Sequence, residues 1–318
     1  MTQTAGAGRI RIGTSGWSYP AGLGTWNSIF YPAAASGAPR AGRGRFDELA
    51  YYAEHFDTVE VNSSFYRPPT PATTRSWALR TPRDFEFSLK LHQRFTHPQM
   101  FERTAGEGSW TVRQEHLDEF RAALEPIARA GKLGALLAQF PPSFAATDLA
   151  RGYLHWLLEA FGDYPVAVEL RHRSWSDDRA GTLAILDDHG AAWVQIDEPK
   201  FHFSIRQDFQ PNVPGFYYMR LHGRNAEKWW RHEAAEERYD YHYSADELRP
   251  LAQAASEASR KVRKLYAYLN NHFAAKAVAN AVVLKHQLGQ ATPGEFPPEF
   301  IERYPEMAGI VATPRSLI

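Results

Sequence analysis

Cysteine is absent from all 318 residues. That excludes disulfides, a thiol nucleophile and thiolate metal sites, and it suits a reducing compartment. Charge of either sign is not in excess: Lys plus Arg and Asp plus Glu stand at 36 each. No overall field therefore draws in nucleic acid or an anionic membrane, and only a local basic patch would serve such a partner. No apolar run is long enough to span a bilayer, and the opening MTQTAGAGRIRIG lacks the apolar core of a signal peptide. A cytoplasmic protein with no membrane partner is expected. Nucleotide fingerprints are missing too. GTSGWSYPAG follows the first predicted strand but opens into a loop, and no strand–GxxxxGK–helix unit occurs.

What the chain has in quantity is apolar and aromatic material, 44% and 14% of its residues, ample for a large core. The stretch TVEVNSSFY, Thr58–Tyr66, shows its organisation. Val59 and Val61 share one face of a strand, and Glu60 and Asn62 share the other. Such segments recur, each followed by a helical one, and that order makes a parallel sheet covered on both sides. The polar faces must then line an interior. Helices are predicted from about Phe46, from Pro71 behind a Thr70 cap, through Leu117, Phe120, Leu124 and Ile127, after caps at Thr147 and Ser244, around Leu183 and Leu186, and to about Leu288.

The expected fold is α/β: a single (β/α)8 TIM-type barrel over residues 9–289, with long rim loops. Its sixth strand, AAWVQID, is expected to turn Gln195 and Asp197 inward. The connection from there to the seventh is irregular, because FHFSIRQDFQPNVPG carries no helical pattern. Residues 1–8 read as a flexible leader, SGAPRAGRG as a flexible surface insert, and 290–318 as a Pro-rich extension packed on or near the barrel.

GTSGWSY, FDTVEVNSSFYR, FEFSLKLH, LLAQFPPSF, VAVELRHRSW, YMRLHGR and YAYLNNHF occur in that order. Together they resemble the YecE-like proteins, the family filed as domain of unknown function seventy-two, from roughly Arg9 to Leu288. The resemblance implies a triose-phosphate-isomerase-type barrel. It implies no activity, since the family name records none.

Polar inward positions cluster at the strand ends, where barrels of this type carry their sites. Glu60, Glu169, His222 and Asp197 are the candidate catalytic residues, moving protons as acids and bases. Asn62, Tyr66, Lys90, His92, Gln139, Arg171, Arg220, Asn270, Trp17 and Tyr19 are the candidate substrate-binding residues. Arg171, Arg220 and Lys90 would hold an anion, and the aromatics would stack on sugar rings or bases. The plain alternative is a self-satisfied ion network of Glu60 and Glu169 against Lys90, Arg171 and Arg220 that merely fills the barrel.

A metal would need Glu60, Glu169, Asp197 and His222 to converge, but no HxH or HExxH spacing occurs and the interleaved cations repel one. Neither metal nor organic cofactor is expected, a divalent metal being the less favoured alternative. The leading expectation is an isomerase, epimerase or hydrolase for a small anionic polyhydroxylated ligand, such as a sugar phosphate. A nucleic-acid-binding or endonuclease-like barrel, using the loop around Arg224, Lys228, Trp229, Trp230, Arg231 and His232, is the second reading. A non-catalytic metabolite-binding protein is the third. Oligomeric state is not legible in the chain.

Overall fold

A computed structural model of the protein describes residues 7–32, 46–105, 111–229 and 235–314. The leader up to Gly6, the SGAPRAGRG insert, and Trp230, Arg231 and His232 lie outside these residues. Among the described residues nine parallel strands appear: β1 (Arg9–Thr14), β2 (Thr58–Val61), β3 (Glu86–Lys90), β4 (Leu133–Gln139), β5 (Val166–Glu169), β6 (Ala192–Trp193), β7 (Gln195–Asp197), β8 (Phe216–Leu221) and β9 (Lys264–Leu269). They form two sheets, one in the order β2-β3-β4-β5-β6 and the other in the order β1-β9-β8-β7.

The expected single closed sheet is therefore not what the hydrogen bonds draw, and both breaks have local causes. At the first, β6 and β7 are one extended run parted at Val194. Its N–H still donates to Val168 O at 2.9 Å, while the next residue, Gln195, already pairs with Met219 of the other sheet. At the second, β1 and β2 meet through one parallel bridge, Ser15 to Glu60, with Gly16 N donating to Glu60 O at 2.8 Å.

Helices follow the strands where capping and periodicity place them. Thr70 accepts from Thr73 N ahead of Pro71–Leu79, Thr147 accepts from Ala150 N ahead of Asp148–Ala160, and Ser244 with Glu247 forms a capping box before Ala245–Ser259. The helix Gln114–Arg129 buries Leu117, Phe120, Leu124 and Ile127 on one stripe. Each such side chain contributes about 1.5–3 kcal/mol by leaving water. The tail is tied down by the same means. Phe296, Phe300, Tyr304 and Met307 join the main core, and His55 meets Glu295 O.

Side chains that cross from one sheet to the other are polar in layers. Near the strand starts, Arg11 and Lys264 bracket Glu86 at 3.1 and 2.8 Å. Above them Tyr268 OH bonds Thr58 Oγ1 at 2.7 Å and Ser88 Oγ at 3.0 Å. The strand ends carry the third layer.

Candidate functional site

Alternation along β2, β5 and β8 brings Glu60, Glu169 and Arg220 into one layer, all essentially fully buried. Arg220 is its hub. Nε and Nη2 donate to the two oxygens of Glu60 at 2.9 and 2.7 Å, and Nη1 donates to Glu169 at 2.6 Å and to Gln139 at 3.2 Å. Glu60 also accepts from Tyr218 OH at 2.8 Å and Ser15 Oγ at 2.7 Å. Arg171, two residues beyond Glu169 on the same face, donates to it from Nε at 2.7 Å. Burial alone would raise the Glu169 carboxyl, but Arg220 and then Arg171 outweigh it and hold the group well below the usual carboxylate range. A carboxylate so held does not carry a proton at neutral pH. The expected anion clamp of Arg171 and Arg220 is likewise already closed, on these glutamates.

His222 lies just above. Burial, then Arg220, lowers it to about 3, so the imidazole is neutral. Asn270 Nδ2 donates to Nδ1 at 2.9 Å, while Nε2 lies 3.2 Å from Arg171 Nη2 and 3.6 Å from Glu169. Asn270 in turn reaches Asn62 at 3.4 Å. Gly223 follows with a φ of 88°, and a Cβ there would meet Tyr241 Cβ at 2.6 Å. The glycine packs against this tyrosine, and its N–H meets Tyr243 OH at 2.9 Å.

Over this layer opens a cavity of about 350 Å³. Trp17, Tyr19, Asn62, Tyr66, Lys90, Gln139, Arg220 and Asn270 all line it. Gly16, Ser18, Ser63, Tyr239 and His272 line it too. Tyr19 stacks on His272 at 4.3 Å and bonds Ser15 O, a turn that Gly16 permits with a φ of 98°. Lys90 ends β3. Its Nζ sits 3.9 Å from the centroid of Phe65 and has no hydrogen-bond or ion-pair partner among the described residues. Burial, then Arg220, lowers it to about 7. Asn62 Oδ1 is buried without a partner among the described residues.

Two expected members stand elsewhere. Asp197 pairs in register with Leu221, next to inward-facing Arg220, so it points to the other face. There Arg224 grips it at 2.8 and 2.7 Å and Tyr243 OH donates at 2.7 Å. Gln195, on the same face, accepts from Phe209 N at 3.0 Å. His92 caps the short helix Gln93–Thr96 by accepting from Arg94 N, and it is not among the cavity's lining residues.

The inward acid of this strand is Glu198, one residue on. It is buried 3.4 Å from Arg171, with Oε2 lacking a hydrogen-bond partner among the described residues, and burial raises its pKa. His97, lowered to about 3 by burial and then Lys90, is a second group missed. Of the loop aromatics, Trp26 and Trp175 are core, with indole N–H groups bonded to His272 O and Phe144 O at 2.7 Å each. Ser64 Oγ is spent on backbone, tying Val61 O to Lys90 O at 2.8 and 2.6 Å. Among the described residues no three His, Asp or Glu side chains are grouped to hold a metal, and no helix is long and apolar enough to cross a membrane.

Strands in this order, with polar groups gathered at their carboxyl ends, place the chain among parallel α/β proteins. Its family is narrower. The model described as "Protein of unknown function DUF72" matches residues 11–301, and the chain belongs to that family. It is 29% identical over 278 residues to UPF0759 protein YunF of Bacillus subtilis (strain 168), covering 85% of this chain and 92% of that one. UPF0759 protein YecE of Escherichia coli (strain K12) is 27% identical over 124 residues, 39% of this chain and 41% of that one. A crystal structure of a DUF72 family protein from Thermotoga maritima MSB8 superposes with a TM-score of 0.73 at 32% identity, over 89% of this chain and all (100%) of that one. Another, from Enterococcus faecalis V583, gives 0.74 at 25% identity, over 89% and 96%.

Proposed function

We propose that the two sheets are the halves of one (β/α)8 barrel and that its mouth is the active site of an enzyme for small polyhydroxylated ligands. The bridge from Ser15 to Glu60 and the run shared through Val194 support the first part. The second is carried by one observation. Six strand ends and their loops bring three side-chain amides, an unpaired amine and aromatic walls to a single cavity above a fully bonded ion layer. Amides recognise hydroxyls, and aromatic faces take sugar rings.

The ion layer also narrows the ligand. With Arg171 and Arg220 engaged, Lys90 is the cavity's one cation without a partner among the described residues. A ligand bearing at most one negative charge, such as a sugar acid, fits better than a phosphate dianion. Lys90, lowered to about 7, is the reactive group at neutral pH, in place of Glu169 and His222. The reaction class is isomerisation, epimerisation or hydrolysis. Calorimetric titration with D-gluconate and with D-glucose 6-phosphate tests the reading. Gluconate is expected to bind the tighter of the two, and Asn62→Ala to weaken it about tenfold, the worth of a hydrogen bond to a buried acceptor. Absence of gluconate binding at millimolar concentration, or an unchanged Kd in Asn62→Ala, refutes it.

A further inference from the structure

The amine of Lys90 is placed as electrostatics alone would not place it. Three other cations around the strand ends, Arg171, Arg220 and Arg224, grip a carboxylate at 2.6–2.7 Å. Lys90 has Glu60 and Glu169 in its neighbourhood, yet both spend their oxygens on the arginines, Tyr218 and Ser15. What Nζ faces is the ring of Phe65 at 3.9 Å and the open cavity. The strand end beneath it is fixed, because Ser64 Oγ donates to Lys90 O at 2.6 Å. A rigidly mounted amine beside two guanidinium groups, unpaired among the described residues, is costly to protonate and free to react.

We propose that Lys90 is a covalent catalytic residue whose amine condenses with an aldehyde or ketone carbon of the ligand to form an imine. The proposal rests on the reading that the cavity takes a small polyhydroxylated ligand and adds that this ligand carries a carbonyl. The neutral amine attacks the carbonyl carbon. The new C–N bond forms as the C=O π pair moves to oxygen, which takes a proton. Nitrogen releases a proton, oxygen gains a second and leaves as water, and the protonated imine remains. One amine, one carbonyl and one proton give one iminium and one water, with no change of oxidation state. Asn62, Gln139 and Asn270, on the same cavity wall, offer amides to the carbonyl oxygen and the departing water. The finished iminium then withdraws electrons from the adjacent carbon, which serves isomerisation or epimerisation next to a carbonyl.

The test is reductive trapping on the intact chain at pH 7, with D-glyceraldehyde as carbonyl probe and sodium cyanoborohydride as hydride donor, followed by peptide mass mapping. Lys90 is expected to acquire the adduct at least about tenfold faster than surface Lys261, with a rate that rises through a midpoint near pH 7. Lys90→Arg should leave labelling of the other lysines unchanged. A Lys90 rate no higher than that of Lys261 overturns the imine and leaves the ligand reading to its own titration. Preferential labelling that excess D-gluconate fails to slow keeps the reactive amine and sinks the ligand reading instead.

Discussion

Arg220 shows at the scale of one residue why a buried ion layer is stable only when complete. Its guanidinium is almost fully buried and meets two carboxylates from two other strands. Replacing it with methionine keeps most of the volume but leaves Glu60 without its counter-charge and Glu169 with Arg171 alone. Arg220→Met is expected to cost about 3–5 kcal/mol in urea unfolding at pH 7, the usual penalty for orphaning a buried ion pair. The sign of its pH dependence follows from Glu169. Its folded pKa is depressed below the unfolded value of 4.5, so its pairing stabilises above that pH and is lost as pH falls. The penalty of Arg220→Met should therefore shrink below about pH 4. A loss under 1 kcal/mol at neutral pH means the layer is not held by this arginine.

Among the elements, the parting at Val194 is the one that departs furthest from regular structure. Where β6 and β7 leave one sheet for the other, two side-chain amides take the place of strand neighbours. Gln207 donates to Val194 O at 2.7 Å and accepts from Ile196 N at 3.0 Å, and Asn212 accepts from Trp193 N at 2.8 Å. Gln207→Ala strips two buried backbone groups of their partners, so it is expected to cost about 2–3 kcal/mol and to speed exchange of the Ile196 amide. An unchanged exchange rate there refutes the role.

The same element marks where the sequence stops being legible. Strand–helix order, caps at Thr70, Thr147 and Ser244, and the inward faces of β2, β5 and β8 follow from periodicity and capping chemistry, and eight of the expected site residues line the cavity. In AAWVQID polarity points Gln195 and Asp197 to the interior, whereas Ala192, Val194 and Ile196 face it and the loop consumes Gln195. Polarity marks an inward face only where the other face meets helices. Here it meets a polar loop, so the alternation carried the opposite sense and Glu198 was passed over for Asp197.

For the whole molecule, burial of neutral histidines sets the response to acid. His92 and His272 are lowered to about 4, and His97 and His222 to about 3, burial being the largest cause in each. Between these values and the unfolded value of 6.5, the unfolded chain binds protons that the folded chain refuses. Stability is accordingly unaffected above about pH 7 and falls as pH drops through the unfolded value, before carboxylates begin to titrate. Four such groups each cost about 2 kcal/mol by pH 5, of the same order as a domain's entire net stability. These four groups should thus contribute an uptake of about three to four protons on urea unfolding between pH 6 and 5, a slope of about 5 kcal/mol per pH unit. His92→Asn retains a side chain that caps the helix Gln93–Thr96 and removes one titrating group, so it should lower the slope by about one proton. A stability that stays level from pH 6.5 to 5 refutes the neutral burial of these imidazoles.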